Sequence, residues 1–299
     1  MIDTAIIGTV ALDSIKTPFG KVENTLGGSA SYSSIAASFF SKPGIMSIIG
    51  KDFPKEHIEF FRKRGVSTEG IVTGEKTFKW QGYYEFDMNE AKTLNTELNS
   101  LLSYKVMVPE SYRNAKYIFL ANIDPELQLE AIKSMKSPEL VVMDTMTFWI
   151  EHKKNELLET IRHADVLIFN DGEARQLFKT PNLLEAANKA LKLVKRAVII
   201  KKGEHGALLF NGNKHFSAPG YPLENIKDPT GCGDCFGGGF TGYLAKHKST
   251  DDAAMRKAIV YGSVIASYNA EGFGTERLRQ ITHEDIEKRY REMKDIRDF

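Results

Sequence analysis

Cysteine is almost missing from this chain: its 299 residues include two, Cys232 and Cys235. Two cysteines cannot build the disulfide framework of a small secreted fold. A Cys-x-x-Cys pair needs two further ligands to hold zinc. The seven histidines form no cluster, and the nearest, His215 and His247, lack ligand spacing. Surplus charge is absent too: 40 Lys and Arg stand against 39 Asp and Glu, for a net charge of +1. Bulk charge therefore suggests neither a nucleic-acid nor a membrane partner. No apolar run approaches a membrane span, and no charged start leads into an apolar signal core. Asn-x-Ser/Thr acceptor sites, internal repeats and low-complexity stretches are also lacking. These absences lead us to expect a soluble, cytoplasmic protein. Its length allows one large α/β domain over residues 1–299, or two small domains.

What is present is an alternation of short apolar runs with helical periods. Strands are expected at 5–10, 45–49, 116–121, 140–144, 165–170 and 197–201. Helices are expected at 28–40, 54–64, 125–136, 151–162, 172–178, 181–194, 236–245, 252–268 and 284–294. Residues 207–210 and 215–217 pair around Asn211-Gly212-Asn213 as a hairpin. Such alternation implies a mostly parallel central sheet with helices on both faces. Ligands then bind beyond the C-terminal strand ends, where Asp144, Asn170 and Lys201 should cluster. The rhythm breaks at 77–87. There Phe78, Trp80, Gly82, Tyr84 and Phe86 alternate with polar residues, which describes a half-buried antiparallel strand. The extended segment 14–23, with its Pro-Phe-Gly turn, is expected to pair with it in a small separate sheet.

The most informative string is Asp228-Pro-Thr-Gly-Cys-Gly-Asp234-Cys-Phe-Gly-Gly-Gly239. A glycine-rich bend runs straight into a helix, where unpaired N–H groups and partial positive charge favour an anion. Asp234 lies where a carboxylate can take a proton from a hydroxyl attacking a bound phosphate. An ordinary first-turn Asp, worth only ~0.3–1 kcal/mol through the helix dipole, is the plain alternative. Cys232 and Cys235 also fall in this string. A redox dithiol would require a low thiol pKa there. Sensitivity of the protein to thiol oxidation is a separate hypothesis.

The string resembles the C-terminal signature of the ribokinase-like (PfkB) carbohydrate kinases, with Cys232 where that family usually has Ala. The resemblance implies a ribokinase-like α/β fold with a small β lid, its strands drawn from about 12–26 and 75–108. It implies ATP and Mg2+ as cofactors, Asp234 as catalytic base, and Gly231, Cys232 and Gly233 as an anion hole. Gly27-Gly28-Ser-Ala-Ser-Tyr32 resembles the family's N-terminal motif, with Tyr32 in place of Asn. Asp13 matches an acidic residue that accepts hydrogen bonds from sugar hydroxyls. Asn170-Asp171-Gly172-Glu173 resembles the Asn-x-x-Glu motif, whose Glu helps hold Mg2+; a helix cap explains the same residues. Lys201, Gly203 and Gly206 resemble the nucleotide-side loop, with Ala258 and Tyr261 as adenine walls. A homodimer through the lid follows from family habit.

Two glycine patterns fail as phosphate loops. From Gly44 to Gly50-Lys51 the spacing is one residue too long and Asp52 replaces Ser/Thr. Phe236 stands where a dinucleotide fingerprint needs its third glycine. The resemblance points to a kinase acting on a hydroxyl of a small sugar. A nucleoside is the close rival, since Phe78, Trp80 and Tyr84 offer faces for a base. A catalytically silent ligand sensor on the same fold is the alternative from another class.

Overall fold

The structure is a computed structural model and describes residues 2–297. Its larger sheet contains β1 (Thr4–Ile7), β4 (Pro43–Gly50), β5 (Ser67–Gly74), β8 (Tyr117–Leu120), β9 (Leu140–Asp144), β10 (Val166–Asn170), β11 (Ala197–Lys201), β12 (Ala207–Asn211) and β13 (Lys214–Ala218). The strand order is β13-β12-β11-β10-β9-β8-β1-β4-β5. All neighbours are parallel except the β11–β12–β13 edge, which is antiparallel. The smaller sheet has the order β3-β2-β6-β7, built from β2 (Ala11–Thr17), β3 (Gly20–Gly27), β6 (Phe78–Tyr84) and β7 (Ala91–Glu97). The helices are α1 (Ser29–Ala37), α2 (Lys55–Lys63), α3 (Pro125–Lys133), α4 (Thr147–His152), α5 (Lys154–Ile161), α6 (Asp171–Phe178), α7 (Leu183–Leu191), α8 (Cys232–His247), α9 (Asp252–Ala270), α10 (Glu276–Gln280) and α11 (His283–Asp295).

Parallel strands covered on both faces read as unbroken apolar runs, and the central strands here do so. Successive residues enter opposite cores: Ile6, Phe119, Val142, Ile168 and Ile199 on one side, Ile7, Ile118, Val141, Leu167 and Val198 on the other. The first core packs against α1, α8 and α9. Their backbones approach closely, since a Cβ on Gly238 would stand 2.1 Å from the Ser33 carbonyl oxygen. Three tight contacts with backbone or ring atoms, at Gly237, Gly238 and Gly242, explain why the α8 segment spends glycine inside a helix despite its cost there.

Several expectations change. The strand at 77–87 ends at Tyr84, and Phe86 beyond it is 89% exposed. It pairs with β2 as expected, but in parallel, with Asp13 opposite Trp80. Its antiparallel partner is β7, whose residues are all exposed and carry no apolar alternation to reveal a strand. β5 escaped notice for a similar reason, having Ile71 and Val72 as its only large apolar residues. The helix expected at 151–162 is two, separated at Lys153, whose φ of −137° is not helical. α8 begins at Cys232, so Asp234 lies in its first turn. No helix among the described residues is long and apolar enough to cross a membrane.

The smaller sheet is tied to the larger body at two ends. Near its root, Asp52 accepts hydrogen bonds at 2.8 Å from both the N–H and the hydroxyl of Thr77. At its far side the Thr17 hydroxyl donates to the Lys227 carbonyl at 2.8 Å, and the Tyr84 hydroxyl lies 3.2 Å from that of Thr230.

Candidate active site

The start of α8 is the centre of the site. Gly231, its N-cap, has φ +78°, which glycine alone adopts freely. A Cβ there would also sit 2.5 Å from the Tyr32 ring. The preceding turn is fixed by three bonds: Thr230 N–H and Gly274 N–H both donate to Asp228, and Asn269 donates to the Thr230 carbonyl. With that carbonyl engaged elsewhere, the N–H groups of Gly231, Gly233 and Asp234 have no protein acceptor among the described residues. Three unpaired donors at a helix start could cradle an anion.

Asp234 stands beside this cradle, partly buried, and its carboxylate makes no hydrogen bond among the described residues. Burial pushes its pKa up to about 7, Asp144 adds repulsion, and Lys201 partly offsets both. Asp13 is 4% exposed and is held by the Gly28 N–H at 3.3 Å. Burial pushes Asp13 up to about 7 as well; the Gly28 bond opposes this, while Asp228 and Asp234 add to it. Parallel register puts Phe78, Trp80 and Gly82 on the face of the small sheet that also carries Ala11, Asp13 and Ile15. Phe78 and Trp80 are half-buried there.

Asp144, Asn170 and Lys201 do meet at the ends of β9, β10 and β11. The Lys201 ammonium contacts Asp144 Oδ2 at 2.7 Å, and the Lys201 side chain is 17% exposed. Asn170 and Glu173 form a complete capping box, with both bonds at 2.7 Å. Burial pushes Glu173 up to about 7, with Lys201 opposing and Asp144 adding to the effect. Asp144 was legible only as a strand-end acid; its contact with Lys201 is a product of β9–β10–β11 adjacency. The Tyr84–Thr230 contact and the role of Asn269 were likewise not foreseen. Neither residue has a motif, and each acts through a contact distant in sequence.

Other expected site residues are placed differently. Gly27 and Gly28 leave room for the protein itself. A Cβ on Gly27 would strike the Asp13 carboxylate at 1.9 Å, and one on Gly28 would strike the Thr9 carbonyl at 2.5 Å. Tyr32 is 1% exposed, and its buried hydroxyl has no hydrogen-bond partner among the described residues. Gly206 faces the Ala218–Pro219 backbone, whereas the space at Gly203 is open. Ala258 is fully buried. Tyr261 is stacked between Tyr243 and Tyr290, with its hydroxyl bonded to Glu287. These two residues are packed in the α8–α9–α11 interior, so their expected part in an adenine wall is corrected: α9 turns that face inward. The redox dithiol, an alternative that requires a low thiol pKa, finds no support. Cys232 and Cys235 are free thiols, and burial pushes Cys232 up to about 12 and Cys235 well above its ordinary value.

Free amides at the start of α8, a carboxylate beside them without a hydrogen bond among the described residues and a second buried carboxylate that couples to it are an arrangement that could serve group transfer. Comparison with known proteins agrees. The pfkB family carbohydrate kinase model matches residues 2–278. A cytidine kinase of Thermococcus kodakarensis is 30% identical over 245 residues, covering 80% of this chain and 87% of that protein. The crystal structure of the Methanocaldococcus jannaschii nucleoside kinase, an archaeal member of the ribokinase family, superposes with a TM-score of 0.79 at 22% identity, covering 97% of this chain and 99% of that one. A putative ribokinase II of E. coli in complex with ATP and Mg2+ gives a TM-score of 0.79 at 18% identity, covering 98% and 99%. The chain belongs to the PfkB family of carbohydrate kinases. It is accordingly a phosphotransferase with an alcohol group as acceptor.

Proposed function

We propose that this protein transfers the γ-phosphoryl group of ATP to a hydroxyl of a nucleoside. The observation that carries the reading is the pairing of Asp234, a carboxylate without a protein partner, with three unfilled N–H groups at the start of α8. In this reading the acceptor lies between Asp13 and Asp234, under the small sheet acting as a lid. Asp13 accepts a hydrogen bond from one acceptor hydroxyl. Asp234 takes the proton from the hydroxyl that attacks, and the Gly231–Asp234 amides stabilise negative charge on the phosphoryl oxygens.

Nucleoside is preferred to free sugar for two reasons. The cytidine and nucleoside kinases above are relatives. Phe78 and Trp80 also present half-buried aromatic faces on the lid side that carries Asp13, and such faces suit a base. Free sugar remains the second reading, on the strength of Asp13 alone.

Lys201 and the open turn at Gly203 would face the nucleotide. One Glu173 oxygen is taken by the Asn170 N–H, and the other has no hydrogen bond among the described residues. No cluster of three His, Cys, Asp or Glu side chains among the described residues forms a metal cage. A single carboxylate with phosphates and waters suits Mg2+, so Glu173 would hold it, where it would neutralise phosphate charge. A panel of cytidine, other nucleosides, ribose and other sugars with ATP, read as ADP release, tests the proposal. Turnover confined to free sugars overturns the nucleoside assignment. Tight acceptor binding without any ADP release would support a ligand sensor instead.

A further inference from the structure

The ammonium of Lys201 has more donors than the fold uses. Its one hydrogen bond among the described residues goes to Asp144 at 2.7 Å, and an ammonium carries three N–H groups. It stands at the edge of the anion cradle: a Cβ built on Gly233 would lie 3.0 Å from Nζ. The surroundings are otherwise acidic. Asp144, Glu173 and Asp234 all act on this lysine, and among the described residues Lys201 is the one cation found to act on Asp234. A triphosphate arriving at the unpaired amides would meet three carboxylates. A single buried ion pair with spare donors is also a poor structural brace, since apolar residues of similar volume often serve as well.

We infer that Lys201 is a catalytic cation of this site: its ammonium, held by Asp144, bonds the phosphoryl group as it passes from donor to acceptor. Asp144 is then a positioning residue. The inference rests on the kinase reading above and gives Lys201, which that reading only turns toward the nucleotide, a part in the transfer itself. In the step, the bond from acceptor oxygen to γ-phosphorus forms while the bond from that phosphorus to the β–γ bridging oxygen breaks. ADP leaves with the electron pair, the acceptor's proton passes to Asp234, and Lys201 keeps its protons. Charge that grows on the leaving and equatorial oxygens strengthens the ammonium contact in the transition state more than in the ground state.

The test uses the whole chain with ATP and the best acceptor of the panel. Lys201→Met should lower kcat by about 100–1,000-fold with both KM values within about threefold. By calorimetry it should bind ADP with Mg2+ within about threefold of wild type, but ADP with Mg2+ and aluminium fluoride, a mimic of the group in flight, at least ~30-fold more weakly. Ethylammonium should restore part of the activity of Lys201→Ala and none of that of Lys201→Met. Asp144→Asn should lower kcat by about 5–50-fold. Should Lys201→Met unfold because Asp144 is left unpaired, the double variant Lys201→Met/Asp144→Asn removes that charge and should melt as wild type while turning over as slowly. Lys201→Met retaining more than a third of wild-type kcat overturns the inference. So does an equal loss of affinity for ADP and for the mimic. If wild type itself binds the mimic no better than ADP and phosphorylates nothing, the kinase reading fails, and this inference falls with it.

Discussion

Two glycine-rich turns lead into two helices that pack side by side, and they behave oppositely. Before α1, the space freed by Gly27 and Gly28 is filled by Asp13 and the Thr9 backbone. The first amides of α1 are all engaged: Gly28 donates to Asp13, Ser29 to the Thr9 hydroxyl, and Ala30 to the Thr9 carbonyl. Before α8, Asp228 and Asn269 hold the turn from behind, and the amides of Gly231, Gly233 and Asp234 stay unpaired. Glycine before a helix is therefore no measure of a ligand site. The partners supplied by the rest of the chain decide whether the donors are spent or offered.

Breaking the contrast at α8 should have the largest effect. Asp234→Asn is expected to lower turnover by about two to four orders of magnitude, or about 3–5 kcal/mol of barrier. Near-normal turnover in a steady-state assay would remove Asp234 as base. Gly231→Ala, forced into positive φ against the Tyr32 ring, should lose both thermal stability and turnover, by ~1–3 kcal/mol in stability; a folded, fully active variant would mean the turn is not shaped as described. On the α1 side, Asp13→Ala should raise the acceptor KM by about 10–100-fold while leaving the KM for ATP alone. A matching rise in both would place Asp13 outside the acceptor site.

A pH profile sharpens the same contrast. Asp234 must be ionised to act, and its pKa is pushed up to about 7, so kcat/KM should rise with pH through that value and level off above it. Stability should run the other way. The folded carboxyl keeps a proton that the unfolded chain, with its value near 3.8, has lost. Its favourable contribution is thus present at low pH and lost as pH climbs towards 7. Asp234→Asn should accordingly melt above wild type at pH 8, with the difference vanishing near pH 4; an unchanged melting temperature at pH 8 would show that the site does not destabilise the ion. The smallest effect is expected at the thiols. Because burial pushes both Cys232 and Cys235 away from thiolate, peroxide should change activity less than about twofold with or without reductant. A larger reductant-reversible loss would expose the α8 start to solvent.

Motif residues close in sequence were legible in advance. The 228–239 string marks the helix start and its acid, and Asn170–Glu173 marks a capping box that forms as written. Strand-end positions for Asp144, Asn170 and Lys201 followed from apolar runs. The Asp144–Lys201 contact, the Tyr84–Thr230 contact and the inward turn of Tyr261 did not. Each joins residues 57, 146 or 26 positions apart, counting Tyr261 with Glu287. β7 falls within the range 75–108 that the resemblance implied for lid strands, but no apolar pattern marked it, because an exposed strand needs no alternation.

Local physics was enough for the sequence to determine an α/β chain and a glycine-rich bend with an acid that runs into a helix, since periodicity, caps and positive-φ turns act over a few residues. Which turn keeps its amides free, which carboxylate faces which, and where the lone cation comes to rest were decided only in the folded molecule. Burial, hydrogen-bond satisfaction and charge pairing depend on neighbours that the chain order does not bring together.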